Sequence, residues 1–257
     1  RGPLLGPSVA GPAWRRAATG RSGDTGIAGP LRVPARARIS GSVGIAPSAS
    51  AESLGGELET GLIGEIFAEN VLAAALSALE LGVGARVVQR GMKLAPPIEG
   101  RFQVVSREPI VVVDYAHSPD ALARTADTAR SLAGAARTIF VAGAGGGADT
   151  PKREPMGRAL GERVDYLILT SDNPRDENPA DIAAALEHGA RRGGRAHVRT
   201  ELDRRAAIRQ AIEQAKPKDV VVIAGKGHER GQTMGTVTEP FSDVDEALAV
   251  LGALRGG

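Results

Sequence analysis

Four short segments of the sequence are rich in glycine or in acidic, basic or imidazole side chains. Each of them follows an apolar stretch, and they are Asp114–His117, Gly143–Gly147, Ser171–Arg175 and Gly225–Glu229. Ligands of parallel sheets collect at the carboxyl ends of the strands. If the apolar stretches are parallel strands, the four segments therefore lie at one edge and line one crevice.

Two of these segments together offer an acid and a planar cation. Asp172, Asn173, Pro174 and Arg175 form one run, and a guanidinium such as that of Arg175 can hold a carboxylate through two parallel hydrogen bonds. Glu229 belongs to the other run and could hold an amine. The pair suits a zwitterionic amino acid, although two ordinary turns and an exposed glutamate would give the same pattern.

The segment after the first apolar stretch places Asp114 and His117 just before Pro119, a residue suited to the first position of a helix. A carboxylate, a phenol and an imidazole within four residues favour a site in the crevice. In the alternative interpretation, Asp114 only accepts hydrogen bonds from the turn and His117 is a surface residue.

The glycine run can be aligned with the dinucleotide-binding spacing as Gly143, Gly145 and Ala148, with Asp172 further along as a ribose-binding acid. Backbone N–H groups of such a loop and the positive end of the next helix attract a pyrophosphate. A nicotinamide or flavin site, a plain tight turn and a different anion site all remain open at this point.

Short apolar runs alternate with helical patterns from residue 100 onwards. This alternation is typical of a doubly wound α/β domain with a mostly parallel sheet, and it predicts one such domain over residues 100–257. The predicted strands are Ile110–Asp114, Thr138–Ala142, Tyr166–Thr170, His197–Arg199 and Val220–Ala224. The predicted helices span residues 119–132, 155–163, 179–192, 203–214 and 244–254, with one more upstream at 70–81.

Composition separates the first fifty residues from the rest. Residues 1–50 contain seven Arg and one acidic residue, so a chain of net charge +2 has a net charge of −4 in the remaining residues. The nine Gly and six Pro of residues 1–50 predict an unstructured segment, and we expect a fragment, or a stretch translated out of its proper frame, rather than a targeting sequence. The negative remainder and 3% aromatic residues argue against nucleic-acid binding.

The chain has no cysteine and no apolar stretch long enough for a membrane span. Thiolate catalysis, disulfides and zinc ribbons are excluded as functions of this sequence, and no metal site is predicted. We expect a cytoplasmic location and no membrane partner.

Several runs together resemble the Mur ligase family. The matching runs are Gly100–Phe102, Asp114–Pro119, Lys152–Arg153, Met156–Gly157, Asp172–Arg175, Asp203–Arg204, Ala207–Ile208, Ala224–Glu229 and Phe241–Asp243. A weaker likeness includes Gly64 and Asn70–Ala74. It implies that residues 51–99 are a remnant of the family's central ATP-binding domain, ahead of a Rossmann-like C-terminal domain over 100–257.

The resemblance implies an ATP-dependent ligase of peptidoglycan precursor synthesis. In such an enzyme ATP, with Mg2+, phosphorylates the glutamate carboxylate of UDP-N-acetylmuramoyl-L-alanyl-D-glutamate, and the amine of meso-diaminopimelate attacks the acyl phosphate. Carried over by motif, the residues on the ATP side are Asn70, Arg101, Asp114 and His117. Those on the meso-diaminopimelate side are Asp172, Asn173, Pro174, Arg175, Gly225 and Glu229.

Three departures from the family pattern limit what the chain can do alone. It has no Gly-x-x-x-x-Gly-Lys-Ser/Thr loop for phosphates and Mg2+, and we expect neither the UDP-binding domain nor the modified lysine. Ala148 stands where the family has an arginine, for which Lys152 or Arg153 would compensate. Ile66 and Phe67 stand where the family has Phe and Asn. We assign no catalytic residue in this chain. A binding domain without catalysis and, further off, a dinucleotide-dependent oxidoreductase are the alternatives.

Overall fold

The computed structural model describes residues 35–37, 58–147 and 149–256. These residues form two compact units that divide between Pro96 and Pro97, with residues 64–66 grouped with the second unit. The sequence-based boundary at residue 100 is three positions further along. Apart from residues 35–37, the segment 1–50 that is predicted to be unstructured lies outside the described residues.

The first unit has two short strands and two helices. Strands β1 (Ala35–Ala37) and β2 (Leu58–Thr60) pair in antiparallel fashion. Helix α1 (Glu65–Glu80) begins five residues before the predicted helix, and α2 (Ala85–Leu94) is not predicted from the sequence. Their small core is formed by the buried Ala75, Val88 and Met92.

The second unit contains a six-stranded sheet with the order β3-β4-β8-β5-β6-β7. Its strands are β3 (Gln103–Arg107), β4 (Ile110–Asp114), β5 (Thr138–Ala142), β6 (Tyr166–Leu169), β7 (His197–Thr200) and β8 (Val220–Ala224). Only β3 runs antiparallel to its neighbour β4, and the other pairs are parallel. The predicted mostly parallel α/β fold is confirmed.

Helices cover both faces of this sheet. They are α3 (Pro119–Ala133), α4 (Arg153–Gly161), α5 (Pro179–Gly193), α6 (Arg204–Glu213) and α7 (Asp243–Gly256). Apolar residues of α6 and α7 pack on alternate residues of the strands, such as Val111, Val113 and Ile223. Helix α3 packs on β5 and β8, and α5 packs on β6 and β7. Because both faces are covered, β5 and β8 are buried along their whole length, which explains why they read as uninterrupted apolar runs.

Helices α4 and α5 pack with their backbones in direct contact. A Cβ atom at Gly157 would lie 1.9 Å from the Leu186 carbonyl oxygen, and one at Gly189 would lie 2.0 Å from the Glu154 carbonyl oxygen. A Cβ atom at Gly161 would lie 2.1 Å from the Ala190 carbonyl oxygen, and one at Gly193 would lie 2.6 Å from Glu162 N. Only glycine permits this approach, so these two helices form a tightly joined pair.

Polar caps fix where the site loops stop and the helices begin. The Ser118 Oγ accepts from Ala121 N at the start of α3, and the Asn178 Oδ1 accepts from Ala180 N at the start of α5. Proline occupies the first helical position in both cases. The loops after β4 and β6 are therefore held at their far ends by helix caps.

Three elements of the second unit differ from the sequence-based expectation. Strand β3 and the hairpin of β9 (Gly231–Met234) and β10 (Val237–Pro240) are not predicted, because their side chains are mostly half-buried or exposed. Helix α4 begins at Arg153 rather than at Pro155. This shift places Arg153 at the start of the helix, next to the glycine loop.

Candidate functional site

The polar loops after β4, β5, β6 and β8 converge at one edge of the sheet, as the sequence predicts. Gly146 N donates to the Asn173 carbonyl (2.9 Å), and Gly225 N donates to the Asp114 carbonyl (3.0 Å). Gly100 also belongs to this edge, since a Cβ atom there would lie 2.1 Å from His228 N. The edge is therefore a continuous surface built from backbone contacts between loops.

Asn173 connects the loop after β6 with the loop after β8. Its side-chain nitrogen donates to Glu229 Oε2 at 3.0 Å, while its Oδ1 accepts from Lys226 Nζ at 2.8 Å and from Thr233 N at 3.0 Å. Two expected site residues, Asn173 and Glu229, are thus in direct contact. Lys226, which the sequence analysis does not assign to the site, lies against both of them.

Asp172 and Gly225 approach each other closely at the base of the two loops. Gly225 has φ +120°, and a Cβ atom there would lie 2.7 Å from Asp172 Oδ2. The buried Asp172 carboxylate lies 3.2 Å from Lys226 Nζ. Asp172 therefore faces the protein, and Gly225 is the residue that leaves room for it.

Arg175 presents its side chain at the surface of this edge. Its backbone has φ +51°, a left-handed conformation that costs about 1 to 3 kcal/mol for a residue with a side chain. Two backbone hydrogen bonds hold it there: Arg175 N donates to the Thr233 carbonyl (3.2 Å), and Gly235 N donates to the Arg175 carbonyl (2.7 Å). The guanidinium Nη1 donates to the Gly146 carbonyl, so the cation lies over the glycine loop.

The glycine loop packs its backbone against the turn that contains Arg175. A Cβ atom at Gly146 would lie 1.9 Å from the carbonyl oxygen of the buried Pro174, and one at Gly143 would lie 2.3 Å from the Thr170 carbonyl oxygen. These glycines are therefore required by the contact between two protein loops. The sequence leaves open a dinucleotide site, a tight turn or another anion site at these glycines. Close packing between the two loops explains the glycines without a bound dinucleotide.

Arg153 and Glu177 form a clasp beside the glycine loop. The guanidinium of Arg153 donates to both Glu177 oxygens, at 2.8 and 2.9 Å, and to the Gly145 carbonyl at 3.2 Å. Hydrogen bonds from Arg153 and from Gly147 N lower the pKa of Glu177 to about 2. This clasp holds the glycine loop against the start of α4, because both of its side chains also bond to that loop.

The positions expected to compensate for the family's arginine are turned towards other groups. Arg153 is buried against Glu177, and Lys152 Nζ lies 3.9 Å from Asp149 Oδ2. Ala148 itself lies outside the described residues. Compensation by Lys152 or Arg153 therefore stays a prediction.

A group of rings and a guanidinium lies on the other side of the edge. The Arg101 guanidinium lies 4.2 Å from the Tyr115 ring centre, and the rings of His117 and His228 lie 4.5 and 5.3 Å from that ring. His117 and His228 are exposed. Tyr115 and His228 are not predicted as site residues, although the sequence places both in polar loops.

Asp114 turns its carboxylate into the fold. Oδ1 accepts from Ala116 N at 3.0 Å, and Oδ2 accepts from Thr125 Oγ1 at 3.2 Å. Burial raises the pKa of Asp114, despite the hydrogen bonds from Ala116 and Thr125 and the charge of Arg101. The alternative interpretation of Asp114, as an acceptor within its own turn, describes these contacts.

Arg204 and Asp243 form a fully buried ion pair beneath the loops. Arg204 Nε and Nη2 each lie 2.7 Å from an Asp243 carboxylate oxygen. Arg204 Nη2 also donates to the Ala224 carbonyl at 3.0 Å, and Nη1 to the Ser171 carbonyl at 3.4 Å. The pair thus joins the ends of β6 and β8, where the loops that contain Asn173 and Glu229 begin.

Asn70, expected on the ATP side, is exposed on α1 in the first unit. Within residues 35–37, 58–147 and 149–256, no three His, Asp or Glu side chains are grouped as a metal site would need. No helix in the part of the chain described by the structure is long and apolar enough to cross a membrane.

Comparison with known proteins gives a consistent result for the larger part of the chain. The family model described as Mur ligase, glutamate ligase domain, matches residues 100–227. The UDP-N-acetylmuramoyl-L-alanyl-D-glutamate--2,6-diaminopimelate ligase of Solibacter usitatus is 44% identical over 76% of this chain and 39% of its own length. The enzyme of the same name from Aquifex aeolicus is 43% identical over 76% of this chain and 40% of its own length.

A solved structure of a UDP-N-acetylmuramoyl-L-alanyl-D-glutamate--2,6-diaminopimelate ligase matches the fold. It is 36% identical, with a TM-score of 0.60, over 78% of this chain and 41% of that one. The chain spans about two fifths of the length of the relatives it matches. Sequence and fold agree, and the chain belongs to the Mur ligase family, whose glutamate ligase domain occupies residues 100–227.

Proposed function

We propose that this chain supplies the amino-acid-binding part of a ligase that adds meso-diaminopimelate to UDP-N-acetylmuramoyl-L-alanyl-D-glutamate. The observation that carries the proposal is the pairing of an exposed guanidinium, Arg175, with an acid, Glu229, on two loops joined through Asn173. The relatives of the same family carry this activity in their names. A cytoplasmic location is part of the same proposal.

The guanidinium of Arg175 selects the amino acid in this proposal. Its Nη1 donates to the Gly146 carbonyl. Because the side chain is exposed, a carboxylate can reach the other N–H groups of the guanidinium. Meso-diaminopimelate ends in a carboxylate and an amine, whereas the side chain of lysine ends in an amine alone. Arg175 would therefore bind the distal carboxylate, and Glu229, with Asn173 beside it, would bind the distal amine.

The ATP side of the proposal uses Arg101 and His117 with the Tyr115 ring between them. A guanidinium and exposed rings can contact phosphate oxygens and a base or ribose. Asp114 contributes by tying down the turn that carries Tyr115 and His117. The expected contact of Asn70 with adenine stays a prediction.

Mg2+ and the terminal phosphates do not fit the residues present. The sequence contains no Gly-x-x-x-x-Gly-Lys-Ser/Thr loop, and the described residues hold no group of three acidic or histidine ligands. We therefore assign phosphate transfer to residues that this chain does not provide. Its own residues bind the distal end of meso-diaminopimelate and so orient the amine at the other end, which attacks the acyl phosphate.

Calorimetric titration of the purified chain with meso-diaminopimelate and L-lysine tests the amino-acid site, with NAD in a parallel cell. We expect heat with meso-diaminopimelate only. Arg175→Ala should weaken binding by about 2 to 4 kcal/mol, because one partner of a charge pair is lost. Arg209→Ala, which removes an exposed arginine on α6, is the matched control and should bind normally. Equal affinities of the Arg175→Ala variant and the parent chain would remove Arg175 from the site.

Binding without ligation is the second candidate function. It needs only the contacts between Asn173, Lys226 and Glu229, which the chain itself provides. Mixing the chain with a separately expressed phosphate-binding part of a relative separates the two candidates. Recovery of ATP turnover that depends on meso-diaminopimelate supports the ligase, whereas binding with no turnover supports the second candidate.

A further inference from the structure

Lys226 is a fully buried cation at the edge of the sheet where the loops after β6 and β8 meet. Its ammonium group donates to Asn173 Oδ1 (2.8 Å) and to the Gly231 carbonyl (2.8 Å), and it lies 3.2 Å from Asp172 Oδ1. Glu229 Oε2 is 3.7 Å away. One side chain therefore contacts the loop after β6, its own loop after β8 and the start of the β9–β10 hairpin.

The ammonium group fixes which way the Asn173 amide points. An ammonium only donates hydrogen bonds, so it must face the amide oxygen of Asn173, and the backbone N–H of Thr233 faces the same atom. The amide nitrogen is then directed at Glu229 Oε2. If the amide turned over, its NH2 group would face two donors and its oxygen would face a carboxylate.

Charge around Lys226 points to a function beyond neutralisation. Two carboxylates, Asp172 and Glu229, share the one ammonium, while the buried Arg204 nearby is paired with Asp243. Asp172 is almost fully buried, but the Glu229 side chain is 36% exposed. Glu229 therefore keeps negative charge for a ligand while Asn173 holds it in one orientation.

We propose that Lys226 is a positioning residue of the amino-acid site, which orients the Asn173 amide and through it the Glu229 carboxylate. The proposal rests on the proposed function only for the identity of the ligand. Its geometric part, the fixed amide and carboxylate, holds with no ligand present.

The ligand-free test uses nuclear magnetic resonance on the 15N-labelled chain and on Lys226→Met, a neutral side chain of similar length. In the parent chain we expect one narrow pair of Asn173 side-chain amide signals and slow exchange of the Thr233 amide proton. In Lys226→Met the pair should broaden, and Thr233 exchange should be faster by about tenfold or more, since a buried hydrogen-bond partner is lost. Unchanged signals in Lys226→Met overturn the proposal.

Arg137→Met is the matched control, because Arg137 forms an ion pair with Asp219 at the opposite edge of the sheet. It should lower the unfolding midpoint while leaving the Asn173 and Thr233 signals as in the parent chain. The same spectral change in both variants would show general loosening, and it would overturn the assignment of Lys226.

Binding gives the second readout. Lys226→Met should weaken meso-diaminopimelate binding by about tenfold or more, and Arg137→Met should not. If the parent chain binds no meso-diaminopimelate, the proposed function fails and the ligand-free signals still decide the role of Lys226. If Lys226→Met does not fold, the Nζ signal of Lys226 in the parent chain decides. Slow proton exchange there supports the proposal, and rapid exchange overturns it.

Discussion

The amino ends and the carboxyl ends of the strands form two opposite edges of the six-stranded sheet. Both edges contain ion pairs, but the cations of these pairs differ in burial. At the amino edge, Asp165 accepts from Thr138 N (2.8 Å), and Asp219 accepts from Arg137 N (3.0 Å) and Lys216 N (2.8 Å). The carboxylates satisfy strand-end N–H groups, and half-exposed arginines lie outside them.

At the carboxyl edge the buried groups include two cations as well as carboxylates. Arg204 and Lys226 have fully buried side chains and donate to the carbonyls of Ala224, Ser171 and Gly231. Parallel strands leave N–H groups unpaired at one end and carbonyls at the other, and each buried group requires a partner. At the amino edge the arginines of the ion pairs are therefore partly exposed, whereas at the carboxyl edge the cations Arg204 and Lys226 are fully enclosed.

The largest effect should come from Arg204→Met, which tests the enclosed cation at the carboxyl edge. Loss of Arg204 leaves Asp243 buried without its partner, and we expect a loss of about 3 to 5 kcal/mol in the free energy of unfolding. Urea unfolding measures it. The double variant with Asp243→Leu removes both charges and should recover much of that loss. A loss below about 1 kcal/mol for the single variant would place this pair with surface ion pairs.

An intermediate effect is expected at the amino edge from Asp165→Asn. Burial alone would raise the pKa of Asp165, but hydrogen bonds from Thr138 N, Arg130 and Arg195 outweigh it and lower the pKa to about 2. A lowered pKa stabilises the fold above the usual value near 3.8, and the stabilisation is lost as pH falls through about 2.

The free energy of unfolding of Asp165→Asn should therefore be lower by about 1 to 2 kcal/mol at neutral pH, discounted for partial exposure. The difference from the parent chain should narrow below pH 4 and vanish near pH 2. Urea unfolding across this pH range measures it, and meso-diaminopimelate binding should stay unchanged. A difference that is constant with pH would mean that the charge of Asp165 is not the cause.

The smallest effect should come from a neutral donor at the carboxyl edge. Gln232 Nε2 donates to the Asp172 carbonyl at 2.9 Å, and Gln232→Ala should cost about 1 kcal/mol in stability, the usual contribution of one hydrogen bond. Gln232→Glu should cost more, since it turns an acceptor towards a carbonyl. If both variants unfold at the same urea concentration as the parent chain, this contact does not stabilise the attachment of the hairpin.

The sequence predicts the parts of the fold in which burial is complete. Val220–Ala224 and Thr138–Ala142 are predicted at their observed bounds because both faces of these strands are covered. Strand β3, with Ser106 and Arg107, has no comparable apolar run, and the β9–β10 hairpin is mostly exposed. Helix α2 escapes prediction beside Gly84 and Gly91, which weaken the helical pattern.

The candidate site, like the fold, can be predicted from the sequence only in part. Convergence of the loops follows from parallel strands that end at one edge, so the sequence predicts that Arg175 and Glu229 lie on the same edge. It cannot show that Arg153 pairs with Glu177, or that Lys226 turns inwards towards Asn173. Those contacts depend on side-chain direction, which spacing along the chain does not determine.

The glycine contact between α4 and α5 also supports the glycine loop beside these helices. No layer of side chains separates the two helices, so they behave as one rigid support. Arg153 begins α4, and Glu177 lies two residues before α5, so the clasp over the glycine loop is attached to both. A methyl group at Gly157 would have to push the helices apart and would strain the contact between Arg153 and Glu177. A substitution inside a helix would thus loosen the glycine loop, because Arg153 and Glu177 both bond to that loop.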